Sequence, residues 1–386
     1  MRNYIIPIYK KEGVTSSQCL SYIKHNVEKK VGHTGTLDKE AEGLIIALTG
    51  KYTKLTEEYM NLKKTYLAEI TFGKETDTLD RDGEVIAESD YIPTLLEIEK
   101  ALSRHFSGKI MQIPPRYSAL KKGGKRLSDI VRSGEDVEVE PRLITIYKNE
   151  IVSYENGVLK ARFQVSRGTY IRSIARDLGL LLNTRAFMSA LVREQTGPFT
   201  LDDAICFDDK EALLSTYAKE RERVVLSIGM FDGVHKGHQR LLRRLKSEAE
   251  KANAKSLVIT FDSINKASFQ NTELLPTMEK VQKIYSLGID EVRVLKWDDE
   301  LKNTSGASFL LSLMKEVEIV KMVVGKDFRI GSNENPVTLN ELILFLYKND
   351  IIVEPYILLQ NGEKISSTYI RNLIASGKKE EALLYL

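Results

Sequence analysis

Two regimes of hydrophobic patterning divide the chain. Up to about residue 205, short apolar stretches of differing period follow one another. Residues 3–9 read as a strand and residues 16–29 as a helix capped by Thr15 or Ser16. A glycine-punctuated loop over 32–43 precedes a short apolar run at 44–48. Residues 65–72 and 157–165 alternate as half-buried strands do, and 169–182 has the apolar spacing of a helix. This is an α+β pattern whose strands need not be parallel. From Arg223 the rhythm changes. Residues 223–228 form a continuous apolar strand, followed by a glycine-rich turn and a helix from about 238 to 252. Further apolar strands are predicted at 257–261, 292–295, 320–324 and 353–358, with helical pattern between them. Such alternation predicts a parallel sheet covered by helices.

A chain of 386 residues is too long for one ordinary core and suits two domains. The boundary falls in the charged stretch AKERER, giving domains 1–218 and 219–386. Composition, 42% hydrophobic and 29% charged, excludes collagen-like and disordered chains. Cys19 and Cys206 have neither a close partner nor metal-type spacing, which predicts reduced thiols. Pro7 interrupts the N-terminal apolar run, so no signal peptide is expected, and no stretch is long enough to span a bilayer. A cytoplasmic protein is the expectation. Net charge is only +3 and neither half is basic as a whole, so any nucleic acid must be held by a local patch.

The densest local signal is GHTGTLDKEAEGLI, residues 32–45, where glycines and threonines surround one carboxylate, Asp38. The residues alone leave two readings: a tight connection in which Asp38 caps the next helix, or a loop presenting a reacting carboxylate. GHTGTLD followed by A-x-G-L resembles the catalytic motif of the tRNA pseudouridine synthase B family. So do IYKKEGVTS (8–16), KKTYLAEITFGKETDTLDRDG (63–83), IPPRYSALKKGGKRL (113–127) and SRGTYIRSIARDLG (166–179), in the family's order. The resemblance implies a mixed, largely antiparallel pseudouridine synthase sheet and conversion of uridine to pseudouridine in tRNA, at uridine 55 of the T-loop. The T-arm stem-loop is the implied partner. No cofactor or metal is implied, because the reaction moves a bond without redox chemistry.

The same resemblance assigns roles. Asp38 is the catalytic carboxylate, with attack on sugar or on base left open, and Arg172 is its counter-charge. Tyr66 stacks on the uracil, Tyr170 walls the pocket, and His33 fills the gap left by the flipped base. Lys121, Lys122, Lys125 and Arg126 flank a Gly-Gly flex point and suit a mobile loop closing over phosphates. Lys39 stands where the family has a proline and Glu42 where it has a small residue, and no pattern of the family's terminal RNA-binding module is found: it is missing or replaced by the second half.

In the second half, LSIGMFDGVHKGH (226–238) runs from strand through a glycine-rich turn into a helix, a ready anion site. His235 and His238, three apart, can face the same phosphates. They could instead bind zinc, but no further His or Cys lies nearby. G-x-F-D-G-x-H-x-G-H resembles the signature of the FAD synthetase family, a branch of the HxGH nucleotidyltransferases with a Rossmann-like α/β fold. LLPTMEK (274–280), VVGKDFRIG (323–331) and KISSTYIRNLIASGKKEEA (364–382) resemble its other blocks.

This second resemblance implies AMP transfer from ATP, carried with Mg²⁺, to FMN. His235 and His238 would hold the phosphates; Ser366, Ser367, Thr368 and Arg371 would close on them; Gly229, Phe231, Asp232, Gly233 and Gly237 would shape the nucleotide pocket. Phe261-Asp262-Ser263-Ile264-Asn265 departs from the family's Phe-(Asp/Glu)-Pro-His-Pro, and residues 332–336 replace its glycines. No riboflavin kinase pattern is found after it, so riboflavin itself is not an expected substrate. Three alternatives stay open: another acceptor, such as a phosphopantetheine-like or nicotinamide nucleotide; a non-catalytic RNA-binding second half; or an RNA chaperone throughout.

Overall fold

The computed structural model describes residues 2–118, 120–135, 137–262, 273–359 and 362–386. The chain divides into two compact units, Met1–Ser215 and Thr216–Leu386. In the first, the alternating segments build one mixed sheet. Its strands are β1 (Ile5–Lys10), β2 (Val31–His33), β3 (Glu42–Thr49), β4 (Lys64–Phe72), β5 (Gly108–Gln112), β6 (Arg142–Glu155), β7 (Val158–Val165), β8 (Ala186–Thr196), β9 (Phe199–Thr200) and β10 (Ile205–Cys206). Their order is β10-β1-β3-β8-β4-β7-β6-β5, with β2 beside β3 and β9 beside β8. β1 pairs with β10, and β3 with β8, in parallel; the other pairs are antiparallel.

Three helices of this unit matter to its site: α1 (Ser16–Asn26), α2 (Leu95–His105) and α3 (Ile171–Leu181). In α3, Ile171, Ile174, Ala175 and Leu178 recur at the helical period and pack on Ala68, Ile70, Ala161 and Phe163 of β4 and β7. The close fit extends to Gly179, where a Cβ would lie 2.7 Å from the Ala186 nitrogen. A capping box, Thr15 with Gln18, starts α1. The helix ends at Asn26 rather than 29, because Val27 donates back to Ile23 and the polar run Glu28–Lys30 has no face to bury.

The second unit holds five parallel strands, β11 (Glu222–Ile228), β12 (Lys255–Asp262), β13 (Glu291–Lys296), β14 (Val317–Gly325) and β15 (Ile351–Glu354). The longer helices that accompany them include α4 (Lys236–Ala252), α5 (Thr277–Ser286), α6 (Gly306–Glu316) and α7 (Ser367–Ala375). The order β13-β12-β11-β14-β15 starts at the centre, runs to one edge and then crosses to the other side. That leaves a topological switch point, and so a crevice, beyond the carboxyl end of β11. Val224 to Ile228 are buried, as the unbroken apolar run requires. β15 ends before Pro355, which has no N–H for the ladder, so the strand expected over 353–358 is shorter and earlier. No described helix is long and apolar enough to cross a membrane.

Candidate active sites

Three buried side chains fix the first motif loop. Ser16, at the start of α1, donates its hydroxyl to Leu37 O (3.1 Å) and accepts from Leu37 N (3.0 Å). Lys10, fully buried at the end of β1, donates to the carbonyls of Lys39 (3.0 Å) and Ala41 (2.5 Å). Arg193 of β8, also buried, donates to Leu44 O (2.6 Å) and Gly35 O (3.3 Å). The loop approaches β8 so closely that a Cβ on Gly43 (φ +114°) would sit 2.4 Å from Arg193 O. Between these anchors the chain presents Asp38, whose side chain stays 48% exposed.

Arg172, at the start of α3, meets Asp38 with Nη2–Oδ2 3.0 Å. The guanidinium is otherwise buried and held from behind. Nη1 reaches Asp80 Oδ2 (3.1 Å) and Thr78 O (3.0 Å), and Nη2 also reaches Tyr117 O (3.1 Å). Thr78 in turn donates to Asp80 Oδ1 (2.5 Å). Arg172 is thus one cation between two carboxylates, with Asp38 on the side that faces solvent. Asp80, Ser16, Lys10 and Arg193 are absent from the sequence-derived roles. A signal existed for Lys10, a cation ending an otherwise apolar strand; Arg193 sits in a strand that also carries Glu194 and Gln195 and gave none.

Tyr170 precedes α3, and its backbone is clamped by the Gln112 amide, N–H to Oε1 2.9 Å and Nε2–H to O 3.1 Å. Burial raises its phenol above the usual range, with Ser118, Asp38 and Arg172 close enough to bear on it. Tyr66, on β4 opposite Phe163 and Arg193, packs on the cluster containing Leu37 and Ile171, the sequence neighbours of Asp38 and Arg172. His33 ends β2 half-buried, accepting from Gly35 N at its Nδ1 (3.2 Å). Burial, then the Arg193 charge, lowers its pKa, favouring a neutral ring. The basic stretch forms a hairpin, Lys121–Lys122 paired with Lys125–Arg126. Gly123 and Gly124 turn it with φ +59° and +86°, which the tight turn requires. Lys125 is exposed; the side chains of Lys121, Lys122 and Arg126 lie outside the described residues.

In the second unit the turn after β11 is left-handed at Phe231 (φ 48°), Gly233 (76°) and Val234 (41°), folding the chain back before α4. His235 caps α4, its Nδ1 accepting from His238 N (3.4 Å). The imidazoles stack with centroids 3.7 Å apart, and Phe231 meets His238 edge-on at 5.3 Å. Gly237 allows this: a Cβ there would lie 3.0 Å from the His235 ring. Burial lowers the His235 pKa to about 4 and pushes His238 well below the usual range. Both rings are therefore neutral at pH 7, each with one N–H to offer.

Asp232 joins the two phosphate motifs. Its carboxylate pairs with Arg371 and accepts from Leu274 N (3.0 Å), and its carbonyl accepts from Ser367 Oγ (2.9 Å). Ser366 caps α7 through Tyr369 N. Gly229, Phe231, Asp232, His235 and His238 thus share one cleft of about 680 Å³ with residues 364–368. A smaller apolar pocket of about 210 Å³, walled by Phe261, Trp297 and Phe309, adjoins it along Ile228, Gly229, Met230 and Arg329. Residues 263–265, part of the altered block, lie outside the described residues. Among the described residues no group of three His, Cys, Asp or Glu is placed to hold a metal ion.

A family model described as TruB family pseudouridylate synthase (N terminal domain) matches residues 24–171. The tRNA pseudouridine synthase B of Borreliella afzelii (strain PKo) is 40% identical over 243 residues, 61% of this chain and 86% of the relative. The chain belongs to the tRNA pseudouridine synthase B family. A like-named protein of Endomicrobium trichonymphae is 43% identical over 202 residues, 52% of this chain and 87% of its own. A solved structure described as a Cbf5-Nop10-Gar1 complex is 27% identical, covers 56% of each chain and has a TM-score of 0.43. To the synthase half this tRNA pseudouridine synthase B-family chain joins an FAD synthetase domain, whose family model matches residues 217–369.

Proposed function

We propose that the chain is bifunctional: domain 1–218 isomerises uridine to pseudouridine in tRNA, and domain 219–386 transfers AMP from ATP to FMN. The observation that carries the first reading is the exposed Asp38 carboxylate held on a buried Arg172. In the reaction the N1–C1′ bond breaks, the freed uracil turns, C5 joins C1′, and the proton on C5 is replaced at N1. Asp38 offers a charged oxygen to the electron-poor partner in this exchange. Tyr66 stacks on the base and stands ready for the C5 proton, Tyr170 walls the pocket, and His33 fills the vacated stack. The hairpin 121–126 grips phosphates. The substrate position is uridine 55, in the T-arm. A T-arm stem-loop should be modified at that uridine by the full chain, while Asp38→Asn binds it and makes no product in a single turnover. Modification mapping to ribosomal RNA instead would overturn the tRNA assignment.

The second reading rests on the cleft at the switch point, where two stacked neutral imidazoles meet the capped start of α7. His235 and His238 donate N–H to phosphate oxygens as charge gathers at phosphorus, with Ser366, Ser367 and Thr368 beside them. Arg371 pairs with Asp232 and through that carboxylate braces the wall on which Ser367 and Thr368 sit. A phosphate oxygen of FMN attacks the α-phosphorus of ATP and pyrophosphate leaves. Mg²⁺ would arrive with ATP, held partly by the phosphate oxygens. The adjoining pocket of Phe261, Trp297 and Phe309 suits a flat aromatic ring, which favours flavin over a phosphopantetheine-like acceptor. Incubating the full chain with FMN and ATP should give FAD and pyrophosphate; adenylylation of a different acceptor in place of FMN would overturn the flavin assignment.

A further inference from the structure

Lys280 lies in α5, a cation only 2% exposed. Its ammonium donates to Phe261 O at 2.8 Å and to Met230 O at 3.3 Å. Those carbonyls sit at the outgoing ends of neighbouring parallel strands, β12 and β11. The Met230 carbonyl also accepts from Thr260 Oγ1 (3.0 Å), and Gly229 N is bonded to Ile259 O (3.0 Å). The two strand ends are thus stitched together below the crevice, with Lys280 as the last stitch. The side chains Met230 and Phe261 both line the apolar pocket. Phe261 in turn sets Trp297, which meets it edge-on with centroids 5.2 Å apart. Burying an ammonium is costly unless its donors are used, and burial does lower the Lys280 pKa. Glu273, Asp232 and Asp262 lie close enough to oppose that shift and favour the charged form. A structural core position would be filled more cheaply by an apolar side chain.

We propose that Lys280 is a positioning residue for the acceptor: by holding the Met230 and Phe261 carbonyls it fixes the gap that receives the acceptor's aromatic ring. Among the described residues its hydrogen bonds go to those two carbonyls and not to the stacked histidines or residues 366–368, and although its charge bears on His238, its main effect is expected on the acceptor rather than on ATP. This rests on the reading of the second domain as an FMN adenylyltransferase.

The test is steady-state kinetics of the full chain. Lys280→Met leaves two carbonyls without their charged donor, and KM for FMN should rise by about tenfold or more. KM for ATP should stay within about twofold, as should pseudouridine formation. Lys280→Arg keeps the charge on a longer, wider head and should give an intermediate KM for FMN. A rise in both KM values alike, or in neither, overturns the proposal. If Lys280→Met does not fold, Lys280→Arg decides alone by the same criterion. Wild-type chain that makes no FAD overturns the flavin reading and this proposal with it. Wild-type chain that makes FAD while both variants match it overturns the proposal alone.

Discussion

At the scale of single residues, the synthase site depends on how one guanidinium is shared. Arg172 faces Asp38 on its exposed side and Asp80 on its buried side. Asp80→Asn keeps an oxygen for Nη1 but removes a charge, so Arg172 loses part of what holds it in place. Charge-assisted hydrogen bonds are roughly twice as strong as neutral ones. The expected outcome is a kcat for isomerisation lowered about tenfold to a hundredfold with little change in KM, read by single- and multiple-turnover release assays. His235 permits a second test. Its pKa is lowered to about 4, so between the usual 6.5 and 4 the unfolded chain takes up a proton that the folded site refuses. Stability is then fully present above 6.5 and lost as pH falls, by about 2 kcal/mol between pH 7 and 5. His238 acts in the same direction. The carboxylates of Glu248 and Asp290, lowered to about 2, cause losses only at lower pH. Trp297, the single tryptophan, lies in the second unit, so its fluorescence in urea should show a midpoint that falls from pH 7 to 5. His235→Asn should flatten that fall.

At the scale of elements, the sequence was most readable where one period dominates. The five strands of the second unit and α3 of the first arise from unbroken or helical apolar runs. Other elements stayed hidden for physical reasons. β6 exposes Leu143, Tyr147 and Val152 and has register shifts at the last two, which blurs its alternation, and β5 is mostly exposed. The loop that presents Asp38 could be located from its glycines, yet its anchors could not: Lys10, Ser16 and Arg193 come from separate strands and a helix start, and only folding brings them to residues 35–44. The same holds for Asp80, two residues from Thr78 in a turn whose partner lies 92 positions on. The hairpin 121–126, proposed to grip RNA phosphates, can be tested at this scale. Replacing Lys121, Lys122, Lys125 and Arg126 with Gln should weaken tRNA binding uniformly across sequences. The slope of log affinity against log salt should fall by up to about 3, since each phosphate contact contributes roughly 0.7–0.9. Filter binding from low to high salt measures it, and an unchanged slope would remove the hairpin from the RNA interface.

At the scale of the whole molecule, two chemistries share one chain but not one set of groups. In the proposed isomerisation site a carboxylate is backed by a buried arginine; in the proposed adenylyl-transfer site two stacked imidazoles lie at a helix start beside an apolar pocket. Each constellation lies wholly inside one of the two compact units, and each is anchored to its own sheet. The two activities should therefore separate cleanly by mutation. His235→Ala removes a phosphate donor and the cap of α4; FAD formation should fall by at least about a hundredfold, as for loss of a donor to developing charge, while tRNA isomerisation stays within about twofold. Asp38→Asn should do the reverse. FMN provides an independent check on the second half of this cross. A flavin ring in the pocket beside Trp297 should quench its emission, saturably and in the presence of Asp38→Asn as in wild type, because no residue of the synthase site lines that pocket. Quenching that vanishes with Asp38→Asn, or isomerisation that fails with His235→Ala in a folded protein, would mean that the two sites are coupled in a way their separate architectures give no reason to expect.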